Sequence, residues 1–385
     1  MSTVTEIASS TTLGTDVHSE TRDDARYLFN PVVDFLCLGG GSLIVLATLA
    51  MAAPKSWIAP VSMVAFLLAH VVNNPHFAHS YQIFYRGYAA KAFGWATPAP
   101  LRARYIIAGI IVPVLLVAFF GIAVARGNIM LLGAGINIMG FFVGWHYVKQ
   151  GYGMIIVDSV LKKNLFSTAE KRALLINAYA VWATSWLYIN HTVKTSNFWG
   201  LESIAFDVPL PLVIVSGALT MLSSIGALIA IAHRRRYATG RPFPVAGAAA
   251  YIASLYVWLL VGRVDPMLLL IVPLFHSLQY LVVVWRFELN RQNARPRSDN
   301  QTQAWHAPAV CFTLFAVMGL FLGYMGFWGL PTFLDRIVGY DKALFGGTLF
   351  LFLFYNFINV HHYFMDNVMW RPENPEIGRH LFTSR

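Results

Sequence analysis

Residues 344–366 read LFGGTLFLFLFYNFINVHHYFMD, from Leu344 to Asp366. The run is long enough to cross a bilayer, which takes about 20 predominantly apolar residues. It closes on two adjacent histidines, His361 and His362, with Asp366 four positions beyond the second. Ionisable groups at membrane depth are costly and mark functional positions. Three other apolar runs also carry histidines: Pro75-His76-Phe77-Ala78-His79, Trp145-His146-Tyr147-Val148-Lys149-Gln150 and Phe275-His276-Ser277-Leu278-Gln279-Tyr280. The four segments are read as converging on one metal site.

The rest of the composition agrees with a membrane setting. Of 385 residues, 57% are hydrophobic and 12% charged, about half the charged fraction of a soluble chain. Cys37 and Cys311 both lie in apolar runs, so no disulfide framework is implied. The polar residues 1–28 read as a disordered cytoplasmic tail, with no apolar core of a cleavable signal. Residues 29–370 form the transmembrane helical domain, and 371–385 form a cytoplasmic C-terminal tail.

The expected fold is all-α, a polytopic helix bundle of about ten transmembrane helices. The spans fall near 32–53, 57–85, 105–125, 129–160, 173–193, 209–232, 244–261, 265–285, 307–328 and 344–368. Lys and Arg set the orientation, since they concentrate in cytoplasmic loops. The tails and the loops after even spans hold 21 of them, including Arg86, Lys162, Arg234 to Arg236, Arg291 and Arg371; the opposite loops hold six. Both termini are therefore expected on the cytoplasmic side, in a bacterial-type inner or cell membrane. The net charge of +10 then matches anionic membrane lipids and is no nucleic-acid footprint. Glycines inside spans, among them Gly39 to Gly41, Gly319 and Gly323, imply close helix packing. The polar stretch 287–305 reads as a flexible linker.

With this topology, spans two, four, eight and ten all run inward, and their histidines fall between mid-membrane and the cytoplasmic interface. Independent packing histidines have no reason to share one leaflet. The metal candidates are His76, His79, His146, His276, His361 and His362. His76 and His79 share a helix face, as do His362 and Asp366, while His361 diverges from His362 by about 100°. Pro75 can kink its span, and Asn73 and Asn74 are placed to satisfy freed backbone groups. Asp366, Gln279 and Tyr280 would orient ligands. Lys149 needs a partner, and Asp158 is its candidate, as an ion pair or a proton relay. His70 is balanced between ligand and core. Imidazole-rich ligation suits Fe, Zn or Cu, and the lack of nearby cysteine argues against an iron–sulfur centre. The cofactor expected is non-heme iron, one or two ions, with His79 and His361 needed for two; heme b between paired histidines is the alternative.

The layout of these motifs resembles the bacteriorhodopsin-related-protein family of membrane β-carotene dioxygenases. Pro75-His76 and the His362–Asp366 pair are similar to that family's Pro-His and His-x-x-x-Asp forms, with His146 and His276 matching the remaining two. Ser80 stands where an Asp would follow His76. More distantly, His361-His362 and His76-x-x-His79 resemble the histidine boxes of membrane fatty-acid desaturases and hydroxylases. The resemblance implies an oxygenase or desaturase acting on an isoprenoid, carotenoid or fatty acyl chain, with dioxygen and an electron donor as partners. A heme b electron carrier and a proton-coupled transporter are the other classes these histidines allow.

Overall fold

The computed structural model describes residues 26–194, 196–237, 240–294, 307–371 and 373–382. The described residues are all-α apart from a two-stranded ribbon, Asn197–Phe198 paired with Leu201–Glu202. Ten helices carry the architecture: α1 (Pro31–Met51), α2 (Lys55–Tyr85), α3 (Ala99–Ala125), α4 (Ile129–Leu161), α5 (Thr168–Thr192), α6 (Leu210–Tyr237), α7 (Val245–Val257), α8 (Pro266–Asn293), α9 (Pro308–Ile337) and α10 (Leu349–Met369). Seven of them, α1 to α4, α6, α8 and α9, are long and apolar enough to cross a membrane and mark the chain as a membrane protein. The apolar stretch of α6 is almost wholly exposed, a surface that is stable in lipid and a liability in water.

Polar residues set the helix starts. Asn30 accepts from Val32 N and Val33 N ahead of Pro31, and Asn128 caps α4 through Leu131 N at 2.9 Å. The start of α10 is capped from another helix: Asp335 of α9 accepts from Phe350 N at 2.8 Å and Leu351 N at 3.3 Å. A carboxylate there complements the positive end of the helix dipole.

Two irregularities shape the interior. First, α2 breaks: its helix stops at Leu68, passes through turns, and resumes at Asn73 as the segment that carries His76. The break lies just ahead of Pro75, where proline kinking is expected. Gly323 of α9 sits against it, and a Cβ built there would lie 2.7 Å from the Asn74 carbonyl carbon. Second, π-helical turns interrupt α1 at Leu36–Gly40 and α9 at Met325–Gly329. Such turns free backbone carbonyls, and Leu38 O is taken up by the side-chain amide of Gln279.

Three expectations about the loops and tails need correction or narrowing. Residues 287–293, assigned to a flexible linker, continue α8 to Asn293. The reason is the buried Glu288, which binds Arg86 at 2.9 Å and Arg291 at 2.6 Å and so ties the extension to the bundle; residues 295–306 lie outside the described set. Most of the expected disordered tail, residues 1–25, also lies outside it, but Leu28 is fully buried and Arg26 N donates to Leu161 O. The C-terminal segment contains a helix, Pro375–Leu381, that buries Ile377 and Leu381.

Candidate metal centre

His76 of α2, His146 of α4, His276 of α8 and His362 of α10 meet in one cluster. Their rings form a closed circuit: centroids are 5.3 Å apart for His76–His276, 5.0 Å for His276–His146, 4.9 Å for His146–His362 and 4.8 Å for His362–His76. All four are buried. Phe77 lies 4.7 Å from the His362 ring, Tyr147 4.2 Å from His276, and Tyr363 stacks at 4.4 Å on His146. Aromatic side chains therefore wall the cluster off from water.

The hydrogen bonds of this cluster are incomplete in a specific way. Among the described residues, His76 Nε2, His146 Nε2, His276 Nδ1 and both nitrogens of His362 are buried without a hydrogen-bond partner. An unmet buried polar atom costs roughly 1–3 kcal/mol. Four rings with that deficit at one point approach the whole stability of a typical fold, about 5–15 kcal/mol. Packing histidines would not be left so; ligands would.

His76 shows how one ring is prepared. Its Nδ1 lies 2.6 Å from Asn73 O and 2.9 Å from Ser277 Oγ, whose hydroxyl donates to Asn73 Oδ1 at 2.8 Å. Both neighbours are acceptors here, so Nδ1 carries the proton and the Nε2 lone pair is free for a cation. The helix break supplies this arrangement, because Asn73 begins the resumed segment.

Asp366 adds a carboxylate. Its Oδ2 lies 3.3 Å from His362 Nε2 and 3.8 Å from His146 Nε2, and one ligand atom from each of the three residues falls within 4.8 Å of the others. Its Oδ1 accepts from the Tyr280 hydroxyl at 3.0 Å, and that hydroxyl is 2.5 Å from Ser80 Oγ. Tyr280 thus holds Asp366. The tightest ligand-atom group comprises His146, His362 and Asp366, whereas the ring circuit includes all four histidines.

Other expected site residues lie elsewhere. His79 is excluded from the cluster: its Nδ1 bonds Gln82 Oε1 at 2.7 Å, and its ring stacks on Phe315 at 4.3 Å. His361 is excluded because both nitrogens are occupied, by Tyr81 Oη and Ala108 O, each at 2.9 Å. Gln279 orients no imidazole; it bonds Leu38 O and accepts from Gln150 Nε2 at 3.0 Å. Lys149 does not pair with Asp158. It lies over the rings of Tyr152 and Tyr179, while Asp158 accepts from Gly247 N and faces Lys162 at 3.6 Å. His70 stacks on Trp328, away from the cluster.

Sequence reasoning missed Ser277, Ser80 and Gln150. Ser277 was hidden because it neighbours His276 in sequence but serves His76 on another helix. Gln150 donates to His276 O at 2.8 Å and so locks α4 to α8. Its position one turn after His146 was the available signal. No protein-family model, no curated protein and no solved structure matches this chain.

Proposed function

We propose that this chain is a multi-pass membrane oxidoreductase of oxygenase or desaturase type, binding one non-heme iron through His76, His146, His276 and His362. The observation that carries the reading is the meeting of four buried imidazoles, from four helices, with nitrogens left unpartnered. Such a donor set fits Fe, Zn or Cu, and iron is preferred for redox chemistry on a lipid-soluble substrate. Bound there, iron would activate dioxygen in surroundings from which the apolar shell excludes water. The protein's part is positional: Asn73 and Ser277 fix the His76 tautomer, Tyr280 and Ser80 fix Asp366, and Asp366 offers a carboxylate to His146 and His362.

One ion is preferred over two because His79 and His361, the ligands a second ion would require, are engaged elsewhere. Heme is disfavoured because rings this close leave no room for a macrocycle between two axial imidazoles. The substrate is read as an isoprenoid, carotenoid or fatty acyl chain, with dioxygen and an electron donor as partners. The ten helices are read as ten spans with both termini cytoplasmic, in a bacterial-type inner or cell membrane, on the strength of the Lys and Arg distribution.

The break in α2 favours a second reading, a proton-coupled transporter built around a discontinuous helix. Gly323 of α9 closes that break, and the cluster is buried, so the iron reading stands first. Metal analysis of detergent-purified protein tests it. Near one iron per chain is expected, with loss in both His146→Ala and His362→Ala and no Soret band. Metal content unchanged in both variants would sink the shared site.

A further inference from the structure

A second feature lies beside the histidine cluster. Between the break of α2 and the end of α9 is a cavity of about 430 Å³, within the size range of small-ligand sites. One wall is a single face of α9: Tyr324, Trp328, Thr332 and Arg336 follow one another at four-residue spacing. The facing wall is His70, whose ring stacks on Trp328 with centroids 5.2 Å apart. His70 is one of the histidines the metal centre does not use.

Beside the neutral His70 ring and the Tyr324 and Thr332 hydroxyls, the one charged group among the described residues of these walls is the Arg336 guanidinium. Trp328 carries a buried indole N–H without an acceptor. Arg336, among the described residues, has neither an ion-pair nor a hydrogen-bond partner. No acidic residue lines the cavity. The neighbouring Asp335 is spent on Phe350 N, Leu351 N and the Tyr340 hydroxyl. A guanidinium and an indole N–H are donors without acceptor capacity, so the complementary ligand is an acceptor with negative charge.

The apolar lining of the cavity is Tyr324 and Phe333, both more than half exposed. Behind Trp328, the buried Phe327 packs 5.0 Å from Phe77, which lies 4.7 Å from His362, and Phe77, Phe327 and Trp328 belong to one aromatic cluster.

We infer that this cavity binds the anionic end of an amphiphile, a carboxylate or a phosphate, with Arg336 and Trp328 as its recognition groups and the apolar chain against the exposed rings of Tyr324 and Phe333. Taking that amphiphile as the substrate rests on the function proposed above; the binding itself does not.

Electron spin resonance of the full chain reconstituted in phosphatidylcholine vesicles tests the inference, with iron content measured separately on the same samples. The probes are stearic acid, its methyl ester and phosphatidic acid, each spin-labelled at the fifth carbon of the chain. The protein-immobilised fraction is expected to be several-fold larger for an anionic probe than for the ester. That excess is expected to fall to the ester's level in Arg336→Gln, and to shrink in Trp328→Phe, which keeps the ring and removes the N–H. An excess carried by stearic acid assigns a free carboxylate, and one carried by phosphatidic acid assigns a phospholipid headgroup; either supports an anion site. Equal immobilisation of all three probes, or an excess that survives in both variants, would overturn it. Because the readout does not involve iron, a failure here is separable from a failure of the metal assignment.

Discussion

His361 and His362, neighbours in sequence, are opposites in bonding: both nitrogens of His361 are hydrogen-bonded, by Tyr81 and Ala108, whereas neither nitrogen of His362 makes a hydrogen bond and its Nε2 faces the Asp366 carboxylate at 3.3 Å. Their replacement should therefore have opposite signatures. His361→Ala is expected to keep the metal and lose roughly 1–3 kcal/mol of stability, because Ala108 O and Tyr81 lose a partner. His362→Ala is expected to abolish metal binding. Metal content and unfolding in mixed detergent separate the two, and equal metal loss in both would contradict the assignment.

Tyr280 packs against the His76 and His362 rings and donates its hydroxyl to Asp366. Partners that orient a ligand typically account for 10- to 100-fold in metal affinity. Tyr280→Phe, which deletes one hydroxyl, is expected to weaken metal binding by about that factor in a competition titration. Wild-type affinity in this variant would show that Asp366 needs no such support.

The close approach of α9 to α2 rests on two glycines. A Cβ at Gly323 would press on the Asn74 backbone at 2.7 Å, and one at Gly319 would meet the His79 ring. Overpacking of this kind costs roughly 1–3 kcal/mol, so Gly323→Val should destabilise the protein and loosen the His76 segment. Gly121→Ala in α3, with open space around it, serves as the control and should change stability by about 0.5 kcal/mol or less. Equal effects would mean the contact is slack.

Asp335 caps α10 from α9. Asp335→Ala is expected to cost roughly 1–2 kcal/mol, the usual range for a lost cap, and to raise proteolytic nicking between residues 338 and 350. A variant as stable and resistant as the parent would show that the start of α10 is held by packing instead.

Much of this was legible in the sequence. Apolar run lengths located the helices, and Pro75 coincided with an actual interruption of α2. The four histidines, one from each of four runs, were correctly grouped in space. What sequence could not resolve was rotation about each helix axis. His79 shares a face with His76 at three-residue spacing, yet the short offset is enough to turn it onto Phe315. Lys149 and Asp158 were paired on charge alone, but Lys162 stands one turn from Asp158 and takes that role. Ser277 and Gln150 act across helices, and cross-helix register is set by packing that no single run encodes. The extension of α8 past residue 287 escaped notice because its charges look solvent-exposed until Arg86 and Arg291 are seen around Glu288.

The break in α2 also bears on how the protein is made. The segment before it, Ile58–Leu68, is apolar except for Ser62, whereas Asn73–Tyr85 carries two asparagines, two histidines, a serine and a glutamine. The first half can partition into lipid as soon as it leaves the ribosome; the second gains little by doing so alone. Its neighbours on α8, α9 and α10 are synthesised about 200 to 280 residues later. The His76 segment must therefore wait for the last third of the chain, and the four-histidine cluster is among the last parts of the molecule to be assembled.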